Sequence, residues 1–155
     1  MKIVAYALVT LFALAGAAFA EPVKLTVNQA FSVSIGIEQL NKGATQIIKD
    51  GAKETQAQVP FAFGPGFRVA LAVDASHISD AIGPAQRARK AARERLGAGE
   101  LDAEQRKALE AQAEKIDAQI VEIDLTPITE DQLALDKNPG ISAATIQALL
   151  PIFKR

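Results

Sequence analysis

Between Asp74 and Asp80 the chain gathers side chains that could hydrolyse a bond: Asp74, Ser76, His77, Ser79 and Asp80. A histidine beside a carboxylate can act as a general base, and a serine it activates can act as nucleophile. The segment reads as helix, where Asp74 and Asp80 each lie three residues from His77 and within reach of its ring. Ser76 and Ser79 project about 100° and about 200° away from the histidine, so neither hydroxyl meets it. A nucleophile would have to come from another element. The main reading is a partly buried histidine held by aspartate. Hydrolysis with His77 as general base, paired with Asp74 or Asp80, is the minor one, and no residue is assigned a catalytic role.

Other chemistries are narrowed by residue type. There are no cysteines and one histidine, which removes disulfides, thiol catalysis and zinc sites built from several imidazoles. No cofactor or metal site is expected. Phe63-Gly64-Pro65-Gly66-Phe67-Arg68-Val69 follows a predicted strand and opens a helix, like a dinucleotide loop. However, Val69 replaces the third glycine and no acidic residue closes a second strand. Phe61, Phe63 and Phe67 read better as core plugs at a strand-to-helix joint, with an exposed docking patch as the alternative. Arg87, Arg89, Lys90, Arg93 and Arg95, against Glu94, give residues 84–96 a net charge of +4, while residues 98–117 carry −3. Two oppositely charged helices forming an antiparallel hairpin account for this, with an anion- or protein-binding face as the alternative. No aromatics interleave with the basic run, which argues against nucleic acid. Glu122 and Asp124 lie two apart on the wet face of a strand, with no calcium-loop pattern around them.

These groups need a scaffold, and periodicity predicts one. Thr26-x-x-Gln29 as a capping box, or Asn28, can cap a helix reaching about Leu40, in which Gly36 costs about 1 kcal/mol relative to alanine. Asp50-Gly51 is placed to turn a hairpin spanning residues 44–63. Pro60 has no N–H, so the second strand should have an unpaired edge there. Phe67, Leu71, Ala75, Ile78 and Ile82 form one apolar helical stripe, and Val69 and Val73 another. A helix apolar on two sides is expected to be central, and Gly83-Pro84 to kink or break it. Asp102-x-x-Gln105 caps a further helix, and Val121, Ile123 and Leu125 alternate with polar residues in a strand over 121–126. Asp136–Gly140 reads as a turn, and Ile141–Leu150 as a helix stopped by Pro151. The expected fold is α+β: a small antiparallel or mixed sheet, made of the hairpin 44–63 and strand 121–126, is covered by the central helix, with a helical hairpin over 85–120.

The N-terminus bears on location. Lys2 precedes eighteen uncharged residues, Ile3–Ala20, ending in Ala18-Phe19-Ala20 before Glu21-Pro22. This is the pattern of a cleaved secretory signal over residues 1–20, with Ala18 and Ala20 presented to the peptidase and Glu21 as the new terminus. The alternative is a retained anchor, but no basic stop-transfer cluster follows. The remaining chain, residues 21–155, is one domain of about 135 residues, large enough for its own core. It is expected to be periplasmic or secreted, and free of the membrane once the signal is removed. The whole chain has a net charge of −1, unsuited to wrapping nucleic acid.

Two resemblances add to this. Leu101-Asp102-Ala103-Glu104-Gln105-Arg106-Lys107-Ala108-Leu109 resembles the Leu-Thr-x-x-Gln helix start of the Spy/CpxP periplasmic chaperones, with Asp102 in place of the threonine. That family is all-helical, and the resemblance implies a helical cradle binding unfolded clients without ATP through the Arg87–Arg95 face. The layout of Lys24–Ala30, a hairpin, a long helix through Arg93, an acidic capped helix, Val121–Leu125 and a closing helix is similar to small prophage-encoded accessory proteins of unknown function. That similarity implies no catalytic residues. The expectation is an exported, non-enzymatic domain whose partner is another protein, engaged by the hairpin of residues 85–120 or by Phe61–Phe67, with an ATP-independent chaperone as the alternative.

Overall fold

The computed structural model describes residues 22–51, 53–97 and 101–154. The signal segment, residues 1–20, and its cleavage positions Ala18, Ala20 and Glu21 lie outside the described residues. Strand β1, Val23–Thr26, runs directly into helix α1, Val27–Lys42. The Thr26–Gln29 capping box closes in both directions, at 2.9 and 3.1 Å. Gly43, with φ +83°, then turns the chain into β2, Ala44–Asp50, which pairs antiparallel with β3, Lys53–Val59. Helix α2 spans Pro65–Gly97, and α3, Ala103–Asp117, starts on the Asp102–Gln105 box. Strand β4, Ile120–Ile123, precedes a single helical turn α4, Glu130–Leu133, helix α5, Ala143–Leu149, and a 3-10 turn over Leu150–Ile152.

The fold is α+β, but its strands do not join in one sheet. Residues 121–123 of β4 pair with the lead-in β1 (Val23↔Ile123, Leu25↔Val121), while the β2–β3 hairpin forms a separate two-stranded ribbon. Alternation explains the partnership: Leu25 and Ile123 face the core together, and Lys24 and Glu122 meet on the wet side at 3.1 Å. The hairpin lacks such an apolar face, so it finds no place over the core. Its last pair before the turn is Asp50↔Lys53, so Asp50 belongs to β2 and does not open the turn as expected.

The central helix is α1, not α2. Val27, Ala30, Val33, Gly36, Ile37 and Leu40 are all buried, against α5 on one side and α2 on the other. Gly36 is the reason α5 can come so close. A Cβ added there would lie 2.9 Å from two carbons of Leu149, itself fully buried. The residue that looked like a cost to the helix is thus where another helix crosses it.

On α2 a single stripe is buried, through Leu71, Asp74, Ile78 and Ile82. Val69 and Val73, expected to form a second buried stripe, are 64% and 46% exposed. Helix α2 also runs through Pro84 without ending, for 33 residues, or about 50 Å. Pro84 is exposed, so the carbonyl it leaves unpaired one turn earlier is accessible to water, and the buried stripe holds the helix on its other side. Among the described residues, no helix is long and apolar enough to cross a membrane.

Gly36→Val should cost about 1–3 kcal/mol in urea denaturation, because the added methyls must push Leu149 out of its site. An unchanged midpoint would mean that α1 and α5 do not cross at this distance.

Candidate functional site

Asp74 and His77 share the face of α2 that looks onto the chain leaving β4, and they do different work. The Asp74 carboxylate is 2% exposed and accepts the Thr126 backbone N–H at 3.1 and 3.2 Å and the Thr126 hydroxyl at 3.3 Å. His77 is exposed, with Nδ1 2.7 Å from the carbonyl oxygen of Asp124. A carbonyl only accepts, so Nδ1 is the donor and carries the proton. The expected aspartate–histidine pair is therefore not assembled. Asp74 is committed to Thr126, Asp80 is exposed on the helix, and no described hydroxyl hydrogen-bonds to the ring. Both side chains clamp residues 124–126 onto α2, beside an open cleft of about 310 Å³ lined by Val73, Leu125 and Pro127. No group of three or more histidine, aspartate or glutamate side chains is placed to hold a metal among the described residues. Glu122 is paired with Lys24.

The three phenylalanines form one stack. Phe61 is buried, and Phe63 and Phe67 are half-buried, with ring centroids 5.7 Å apart (Phe61–Phe63) and 5.1 Å apart edge-to-face (Phe63–Phe67). They plug the base of the ribbon, where Arg68 donates to the Phe61 carbonyl at 2.5 Å.

The basic run divides in two. Arg89 is half-buried, donates to Asp117 of α3 at 2.8 Å and lies 4.6 Å over the ring of Phe31 on α1. It therefore joins three helices. The other four cations, Arg87, Lys90, Arg93 and Arg95, are exposed. Lys90 approaches Glu94 on its own helix at 3.9 Å. Among the described residues Arg89–Asp117 is the one ion pair between α2 and α3, so the opposite charges of these helices meet at a single point. Two clefts share Arg89 and Arg93. One, of about 350 Å³, faces α3 with Glu110, Glu114 and Asp117; the other, of about 470 Å³, faces α1 with Phe31 and Ile35.

Two features escaped sequence reasoning. The β2–β3 ribbon projects from the body: every described residue from Thr45 to Gln56 is exposed, with Ile47 at 60% and Ile48 at 48%. The other is Asn138, which looked like a turn residue. It is buried, donates to the Leu133 carbonyl at 2.8 Å and accepts the Ala62 N–H at 2.6 Å, tying the end of the ribbon to the C-terminal third. Its position in Asp-Lys-Asn-Pro-Gly signals a turn but not a bond to a residue 76 positions away.

Burial pushes the Asp74 carboxyl above its usual 3.8, against the pull of the Thr126 hydrogen bonds and of nearby His77. A raised folded-state value means that the folded chain holds the proton more tightly. The stability from this group is full at acid pH and falls as pH rises from 3.8 through the raised value. Asp74→Asn keeps an acceptor for Thr126 and carries no charge. It should therefore gain on the wild type between about pH 4 and about pH 7 in chemical denaturation. A difference that stays flat or shrinks would contradict this. Asp74→Ala, which removes the acceptor, should cost about 1–2 kcal/mol.

No protein-family model matches the chain, and no similarity to a curated protein or to a solved structure reaches significance.

Proposed function

We propose that this chain is an exported domain that loses residues 1–20 and acts by binding another polypeptide, with the β2–β3 ribbon as its docking arm and no catalysis of its own. The ribbon carries the reading. An isolated two-stranded hairpin is at best marginal in water. This one has unpaired backbone donors and acceptors on both outer edges, beyond the single β2–β3 pairing. Cross-strand bonds stiffen it, with Gln58 donating to Thr45 at 2.9 Å and Lys49 meeting Glu54 at 2.8 Å. Its one isoleucine per face gives an added strand something apolar to cover. An extended segment of a partner pairing along an edge satisfies those backbone groups, the chemistry of strand addition.

A second reading keeps the ATP-independent chaperone. It is favoured by the exposed cations Arg87, Lys90, Arg93 and Arg95 on one long helix beside the exposed Ile35.

Photo-reactive residues at Thr45 and Gln56 should yield discrete adducts with another protein in cells, whereas the same probe at Glu104 on α3 yields none. Ile47→Lys with Ile48→Lys should abolish those adducts while leaving the melting temperature near that of the wild type, since both side chains are exposed. Absence of ribbon adducts, or equal adducts at Glu104, would overturn the docking arm. N-terminal sequencing of the isolated protein should begin at Glu21, and a chain starting at Met1 would refute export with cleavage. For the chaperone reading, suppression of client aggregation should vanish on charge reversal at Arg87, Arg93 and Arg95.

A further inference from the structure

We infer that the cleft between α1 and the C-terminal half of α2 binds a small amphiphile with a carboxylate head and a single apolar tail. The charges select the head. Arg89 is already matched by Asp117, and Lys90 faces Glu94. Arg93 lines the same cleft and has no carboxylate within 4.0 Å among the described residues, which leaves one uncompensated positive charge. A planar guanidinium suits a carboxylate, whose two oxygens match its fork of donors. Arg89 is held in place beside it by Asp117 and by the Phe31 ring.

The floor selects the tail. Phe31 is half-buried and Ile35 is 52% exposed, an apolar surface on α1 directly opposite the cations. At about 470 Å³ the cleft has the size of a small-ligand site. The neighbouring cleft toward α3 shares Arg89 and Arg93 but adds Glu110, Glu114 and Asp117, which repel an anion. The anion is thus confined to the α1 side, where Glu94 is the one acidic residue. Nothing in this site is shared with the ribbon, so it stands independently of the docking proposal.

The test is calorimetric titration of the protein with decanoate below its micelle concentration, beside acetate (the head alone) and decylammonium (the same tail with the opposite charge). Decanoate should bind, with acetate and decylammonium at least about tenfold weaker. Arg93→Gln should weaken decanoate about tenfold, and Ile35→Ser should weaken it by several-fold, because one loses the charge-assisted bond and the other the tail contact. Arg93 is exposed and without an acidic partner within 4.0 Å among the described residues, so the variant should fold, and Arg106→Gln, exposed on α3 outside the cleft, should leave affinity unchanged. Equal binding of decylammonium and decanoate, no decanoate binding, or an Arg93→Gln protein with wild-type affinity would each overturn the assignment.

Discussion

Helix α1 can be buried on two opposite sides only because its residues become small where another helix must approach. That constraint organises the molecule. Gly36 lets α5 close in, and Ala30, Val33, Ile37 and Leu40 fill the space that remains. With α1 in the middle, α2 is left to pack one stripe against it, and α5 and the 3-10 turn cover the far side. The β1–β4 ribbon then seals the end where α1 begins: the Val27 N–H donates to the Gln119 carbonyl at 2.8 Å, continuing the strand pairing into the first turn of the helix. Protein interiors are packed near crystal density, so a branched side chain at Gly36 would be transmitted to every element that leans on α1.

Polar side chains hold the segments that lack regular structure. Asp74 takes up the backbone of Thr126 as the chain leaves β4, and Asn138 bridges Ala62 to Leu133. Both are buried, and both take up main-chain groups of neighbouring irregular segments. They differ in cost. Asn138 is neutral, whereas Asp74 must either lose solvation as a carboxylate or bind a proton. Because its hydrogen bonds come from a backbone amide and a hydroxyl and not from a cation, burial prevails over them in setting its proton affinity.

The surface divides its labour in a comparable way. Arg89 spends its charge internally, on Asp117 and the face of Phe31, and so locks α3 to α2 and α2 to α1. Its neighbours on the same helix project into solvent. The C-terminal half of α2 therefore carries both a structural cation and solvent-exposed ones. A helical period of 3.6 residues produces this without any change in composition, since Arg89 and Lys90 are separated by about 100° around the axis.

Much of the local structure can be read directly from the residues. The capping boxes at Thr26–Gln29 and Asp102–Gln105 form as their spacing dictates, because a side chain and an amide three residues apart meet in any helical first turn. The alternation from Val121 marks a strand with one wet face, although the strand ends at Ile123 and not at residue 126, and Phe61 marks a core position. Other features were decided only by the assembled fold. Val69 and Val73 have the same period as the buried stripe of α2 yet are mostly exposed, since that helix turns Leu71, Ile78 and Ile82 to the core and Val73 only borders the open cleft beside residues 124–127. Strand β1 finds β4 about a hundred residues away, and Gly36 proves to be a crossing point instead of a weakness. Arg89, indistinguishable in type from Arg87 or Arg93, is the cation that faces Asp117. Hydrogen-bond geometry within a turn depends on a few adjacent residues, but burial is a contest among all apolar surfaces for one limited interior, and its outcome belongs to the whole chain.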